Sequence, residues 1–469
     1  MQKNRIALLV FVYICIALLQ ACDKTEPSAT DDSVTITDDD GSNSDDGGTP
    51  PDFTATVQFV NTYGGSDIDE AKHVAPTSDG GYVTAGFTKS TDGDITDKIA
   101  NDEDVWVAKY TAQGTLQWNK TYGGTENDAA NSIAQTADGG YIIAGTSRSD
   151  NGDVSENFGF YDFWILKLDS SGALQWEKSF GFPGSDQAFN VLQTSDGGYF
   201  ASGFIDVTAS NGQGNDDRDN SANPHGVGEY WAIRMDSDGD FIWRRYFGGT
   251  NNDRSYGALQ ASDGGFLLVG TSESTDFDIS NSKGSYDLWA IRINASGAKL
   301  WERSFGGSLV DVGYSVTPTA DGNYLFVADT RSSDQDVSDP KGNADAWLVK
   351  FSDSGNFLWE KTYGGTQFDS ARDAVQLPDG KFLVVGGSRS TDGDLANNNG
   401  ESDAWFFVTD ADGELLYSKT LGGTQIDFLN SVAALSGTEI ILAGNSESDD
   451  VDISENKGSK DLLLIKLKI

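Results

Sequence analysis

From Phe53 to Ile469 a unit of about 58 residues recurs seven times; each copy holds four β-type segments parted by turn chemistry, and none has helical periodicity. These observations predict an all-β chain, a seven-bladed β-propeller of four-stranded blades. Without the repeat, 469 residues would suggest two or three unrelated domains.

The clearest marker is a glycine after Tyr, Phe or Leu, at Gly64, Gly123, Gly181, Gly248, Gly306, Gly364 and Gly422, with spacings of 59, 58, 67, 58, 58 and 58 residues. The second copy runs Tyr122-Gly123-Gly124-Thr125 to Asp128, then Thr136-Ala137-Asp138-Gly139-Gly140-Tyr141, Ala144-Gly145, Asp162-Phe163-Trp164-Ile165-Leu166-Lys167-Leu168 and Ser171-Gly172-Ala173-Leu174-Gln175-Trp176. Its four segments are a (near 129–136), b (140–147), c (163–168) and d (173–180). Asp138-Gly139-Gly140 and Asp169-Ser170-Ser171-Gly172 are hairpin signals, because glycine accepts the positive φ of tight turns. Segment c is apolar on both faces, as a strand between two neighbouring sheets must be.

The ends of the chain predict how the ring closes. The last unit stops at its strand c, Leu462–Ile469, and the first begins with Thr56-Val57-Gln58-Phe59-Val60-Asn61-Thr62-Tyr63, which matches strand d of the others. The N-terminal strand is therefore expected to complete the C-terminal blade. An open solenoid would leave both edges exposed.

All 11 tryptophans fall in two columns. Trp106, Trp164, Trp231, Trp289, Trp347 and Trp405 begin strand c, with Leu463 in the last blade; Trp118, Trp176, Trp243, Trp301 and Trp359 lie on strand d, with Tyr417 and Phe59 in the remaining blades. A large ring at one position of every blade reads as core. The Asp or Ser, Gly, then Trp pattern around strand d resembles the tryptophan-docking repeats of quinoprotein-type propellers, without grounds for a quinone cofactor. The whole unit, over nearly all of 53–469, resembles the repeats of Bacteroidota β-propeller lipoproteins, sometimes labelled bulb-type-lectin-like. That resemblance implies the fold and an envelope setting and little established function.

The N-terminal region reads differently. Lys3 and Arg5 precede an apolar run, Ile6 to Leu19, too short for a comfortable membrane span. It ends in Leu19-Gln20-Ala21-Cys22, which resembles a bacterial lipobox. By that resemblance residues 1–21 are a signal peptide, and Cys22 is lipidated and holds the chain in a membrane; the plainer reading is a secretory signal with an incidental cysteine. The other cysteine, Cys15, lies within the leader, so the mature chain is expected to hold together without a disulfide. Residues 22–52 are an acidic, Gly- and Ser-rich tether, similar to the export signals of Bacteroidota surface lipoproteins. The expected location is the outer membrane, on its cell-surface or periplasmic side.

Net charge is −41, from 32 basic and 73 acidic residues. Such a surface repels nucleic acid and anionic headgroups and attracts cations. In propeller strand order the b–c and d–a connections share one face, here called the top, and three acidic columns gather there. The first is Asp69, Asp128, Asp186, Asp253, Asp311, Asp369 and Asp427. The second is an Asp-x-Asp step at Asp92/Asp94, Asp276/Asp278, Asp334/Asp336, Asp392/Asp394 and Asp450/Asp452, with Asn151/Asp153 close to it. The third, before strand c, is Asp104, Asp162, Glu229, Asp287, Asp345, Asp403 and Asp461. Oxygen ligands in this density suggest Ca²⁺, with Asp128, Asp153, Asp162, Asp253, Asp276, Asp278, Asp287, Asp334, Asp336 and Asp345 as candidate ligands. The alternative is that these side chains cap turns through backbone N–H groups. The Asp-rich run Asp236–Asp240 reads as a hairpin turn.

Two departures from the repeat point to function. Blade 3 is nine residues longer, all in its b–c loop, Asn211 to Gly228, which carries Arg218 and His225. On strand a, one column reads Lys72, Asn131, Phe189, Tyr256, Tyr314, Arg372 and Asn430. Its three aromatics in consecutive blades suggest a stacking platform at the channel mouth beside the blade 3 loop, with Arg372 and Lys72 of the same column as further candidate ligand contacts; rings that merely fill gaps between inner strands would read the same. The only histidines, His73 and His225, have no partner pattern for nucleophilic or metal chemistry. The expectation is a monomeric, non-enzymatic binding module for a glycan or protein, held to the membrane by its lipid alone. The alternatives are a polysaccharide hydrolase or lyase using top-face carboxylates, or a purely structural envelope component.

Overall fold

The computed structural model describes residues 53–217 and 225–469. The leader, Cys22, the tether and Arg218 lie outside the described residues. Twenty-eight strands form seven separate four-stranded antiparallel sheets, and no helix occurs among the described residues. Strands a of successive blades touch around the ring, while strand d pairs only with c, so each blade runs outward from the axis. In blade 2 the strands are Asp128–Gln135, Tyr141–Ser147, Asp162–Leu168 and Leu174–Phe180. All four fall within two residues of the ranges the repeat predicts.

The a–b hairpins do more than turn the chain. In blade 2 Gly139 takes φ 81°, and Asp138 accepts from the Gly140 N–H at 3.0 Å and from the Lys167 ammonium at 2.9 Å. Lys167 is buried on strand c, so the turn aspartate also neutralises a cation in the core. Lys109–Asp79, Arg234–Asp196, Arg292–Asp263 and Lys350–Asp321 repeat the pair. Desolvation works against ionised Asp138, but hydrogen bonds from Thr136, Lys167 and Gly140 outweigh it and hold the carboxyl at about 2.

The ring closes as its ends predict. Thr56–Tyr63 pairs antiparallel with Asp461–Lys468, Val57 opposite Leu467 and Tyr63 opposite Leu462, and is the outer strand of blade 7. Packing lies between blades. The six strand c tryptophans are at most 1% exposed. Five of their indole N–H groups are satisfied from strand d, as in Trp164 to Glu177 at 2.9 Å. Strand d tryptophans dock on the next blade: Trp118 covers Gly172, whose added Cβ would meet the ring at 2.8 Å, and Trp176 covers Gly239 in the same way. Tyr417 instead meets Phe53, ring centroids 5.7 Å apart, because in blade 7 the chain ends where the turn glycine would stand.

Candidate functional site

The top-face acids are positioned first by hydrogen bonding. The seven aspartates heading strand a are fully buried. In blade 5, Asp311 accepts from Gly307 N–H at 2.7 Å, Thr330 Oγ1 at 2.5 Å and Ser332 Oγ at 2.9 Å. Asp334 accepts from Ser308 N–H at 2.7 Å, Asp336 from Gly306 N–H at 3.2 Å and Asp345 from Lys341 N–H at 2.7 Å. The other blades repeat this pattern. Asp128 takes the Gly124 N–H and Ser149 hydroxyl, Asp253 the Gly249 N–H and Ser274 hydroxyl, and Asp153 the Gly123 N–H. Asp276 takes the Thr250 N–H, Asp278 the Lys299 ammonium at 2.6 Å, Asp162 the Phe158 N–H and Asp287 the Lys283 N–H. These bonds hold the b–c loops of blades 2, 4 and 5 to the connections entering those blades, as turn-capping carboxylates do. Among the described residues no three acidic, histidine or cysteine side chains group as a metal site would require.

Around the axis the column Lys72, Asn131, Phe189, Tyr256, Tyr314, Arg372 and Asn430 has a common backbone cause. The a–b register skips one residue in every blade, between Ala71 and His73, Ala130 and Ser132, Ala188 and Asn190, Ser255 and Gly257, Gly313 and Ser315, Ala371 and Asp373, and Leu429 and Ser431. Each column residue is therefore a β-bulge, a device that bends a strand and re-aims one side chain.

The bulge ring is unequal around its circumference. Asn131 and Asn430 donate to neighbouring backbone carbonyls, Ala188 and Ala71, both at 2.8 Å. Lys72 pairs with Glu70, which also meets Lys460 at 3.1 Å. On blades 3 to 6 the side chains touch one another instead. Phe189 meets Tyr256 edge-to-face at 4.9 Å, Tyr256 meets Tyr314 at 6.2 Å, and the Arg372 guanidinium lies 3.6 Å from the Tyr314 centroid. All four are half-buried. Arg372 also pairs with Asp329 at 3.4 Å, and Asp329 accepts from Ala371 N–H at 3.0 Å. Burial nevertheless raises the Asp329 carboxyl to about 6.

The structure brings Phe189, Tyr256, Tyr314 and Arg372 together but not with the blade 3 loop. Asn215 donates to the Tyr246 carbonyl and Asp216 pairs with Arg244, both on outermost strand d, Phe241–Phe247. The loop is drawn outward because Arg244 fills the strand d site that elsewhere receives the tryptophan N–H; the Gly214 carbonyl accepts from Trp231 instead, at 2.9 Å. His225 stacks on Phe277 at 4.6 Å and packs on Tyr246, also on the outer rim. The expected position of this segment beside the aromatic arc is thus corrected for 211–217 and His225. His73, one residue past a bulge, accepts the Ile133 N–H at 3.4 Å through Nδ1, and burial lowers its basicity. Ser132, Asp373 and Ser431 make the same stitch to the next blade.

Several mouth residues escape a reading of strand a alone. One residue from the end of strand b stand Phe87, Thr146, Phe204, Thr271, Asp329, Gly387 and Asn445, as variable as the bulge column and beside it. Arg254 lies over Phe204 at 4.7 Å. That column's failure to repeat is the signal that finds them. Two surface grooves, about 370 and 320 Å³, lie elsewhere: beside Leu395, Tyr417 and Asp452, and against Phe53 and Ile469.

Fold and mouth define a seven-bladed β-propeller whose variable part is its axial top. No protein-family model matches the chain. A stretch of 167 residues, 33% of this chain, is 28% identical to regulatory protein FlaEY of Caulobacter vibrioides and spans only 17% of that protein. Similar solved structures include a protein of unknown function from Dyadobacter fermentans, 14% identical over 88% of this chain and 99% of that one, TM-score 0.44. Others are a protein of unknown function from Bacteroides caccae, 11% identical over 69% and 94%, TM-score 0.40, and the Neurospora crassa Pan2 WD40 domain, 10% identical over 89% and 97%, TM-score 0.48. At such scores these likenesses carry nothing about function.

Proposed function

We propose that this chain is a non-enzymatic binding propeller that takes a glycan at its axial top, through the arc Phe189, Tyr256, Tyr314 and Arg372. The observation that carries the reading is the contrast between columns. Core, turn and capping positions repeat from blade to blade, while the bulge column differs and joins three rings and a guanidinium across four consecutive blades. Half-exposed rings, two of them with hydroxyl tips, suit sugar faces and hydroxyls. The carboxylates beside the arc do not favour hydrolysis: Asp329 is held under Arg372, and Asp373 accepts from Ser431 Oγ and the Val432 N–H. In the same proposal the chain is held at the outer membrane by lipid on Cys22. A glycan array tests it: the wild-type chain should be retained, Tyr256→Ala/Tyr314→Ala should lose retention with the fold intact, and product release from a retained glycan would overturn the non-enzymatic reading.

A further inference from the structure

We infer that the glycan is an acidic one, its carboxylate or sulfate groups taken by guanidinium groups on blades 4 to 6. This rests on the binding reading above and specifies its ligand. The chain has 73 acidic residues against 32 basic ones, so an arginine without a carboxylate partner is unexpected. Around the mouth there are three. Arg254, on strand a of blade 4, is exposed and lies over the Phe204 ring at 4.7 Å. Arg331, exposed just past strand b of blade 5, lies over Phe368 at 6.0 Å. Arg389 holds the equivalent place in blade 6 and is half-buried. Among the described residues no carboxylate comes within ion-pair distance of any of them, whereas Arg234, Arg244, Arg245 and Arg292 are all paired.

These three flank Tyr256, Tyr314 and the Arg372–Asp329 pair, so one sector combines ring faces with planar donors. A guanidinium held over a ring keeps its N–H edge free for the paired oxygens of a carboxylate or sulfate. The opposite sector is internally neutralised: Lys89 meets Glu103 at 3.0 Å, and Lys460 meets Glu70 and Glu447. The chain's overall negative charge does not forbid an anion here. Beyond about 8 Å at physiological ionic strength it is screened, while a bound anion would touch the arginines directly. An acidic peptide shares the charge, and poly-glutamate in the experiment below separates it from a glycan.

The experiment is an array of uronate- and sulfate-bearing glycans beside matched neutral ones and poly-glutamate, probed with wild-type chain and with Arg254→Gln/Arg331→Gln. Expected are retention on acidic glycans alone, weakening at least tenfold in the double variant, and decline with salt. Equal retention on neutral counterparts would overturn the acidic assignment and leave the binding reading standing. Retention on poly-glutamate alone would overturn the glycan. Retention on nothing would remove the binding reading itself. Both arginines are at the surface, and an unchanged melting curve separates loss of binding from loss of fold.

Discussion

Asp461 of blade 7 and Asp69 of blade 1 meet at Gly64, where an added Cβ would come 2.7 Å from Asp461 Oδ1 and 2.6 Å from Asp69 Oδ2. The contact recurs at other seams, as at Gly306 between Asp287 and Asp311 and at Gly422 between Asp403 and Asp427. The near oxygens of Asp287, Asp403 and Asp461 are buried without a hydrogen bond. Gly64→Ala should therefore cost about 2–3 kcal/mol in a denaturant titration, because both neighbours are fixed carboxylates. Gly80→Ala, with nothing within 4 Å but φ +82°, should cost about 1 kcal/mol.

The seam carboxyls should make stability rise on mild acidification. Burial, with the neighbouring carboxylate adding to it, raises Asp461 and Asp403 to about 6 and Asp186 to about 8. A group raised on folding binds its proton more tightly in the native state, so the fold bears a cost once the solution is above the unfolded value, and recovers it as pH falls. The turn acids Asp79 and Asp138, held near 2, act oppositely and withdraw stability below about pH 4. Thermal melts should peak between about pH 4 and 6, and a midpoint that falls steadily from pH 8 to 5 would refute the assignment.

Arg372 should be structural as well as ligand-facing. Arg372→Met removes the cation beside buried Asp329 and should cost about 2–4 kcal/mol at neutral pH. Adding Asp329→Asn should restore much of this. Absence of rescue would show that the guanidinium acts through Tyr314 packing alone.

The N-terminal strand should be required for a closed ring. A chain lacking residues 53–63 leaves Asp461–Lys468 as an exposed edge and should associate or melt early in size-exclusion and thermal assays. A synthetic peptide of those residues should restore the elution volume and cooperative melt of the full chain.

Millimolar calcium or a chelator should move the melting midpoint by less than about 1 °C. Most top-face carboxylates already accept N–H or O–H groups that a bound cation would have to displace. A rise of several degrees with calcium would return the cation to this face.

The repeat determined by itself the blade count, the four strands, the glycine turns and even the closure of Tyr63 against Leu462, because strand periodicity, turn chemistry and the missing strand are local properties of the chain. Sequence also isolated Phe189, Tyr256, Tyr314 and Arg372 as the column that fails to repeat. Only tertiary structure decided what those residues do. That each is a bulge depends on register with strand b, and the arc's contacts cross from blade to blade, over separations near 60 residues. The same holds for the loop of blade 3, whose length is plain in sequence. Its outward course depends on Arg244 displacing a partner that Trp231 needed, and only the packed blade reveals such competition for one hydrogen bond.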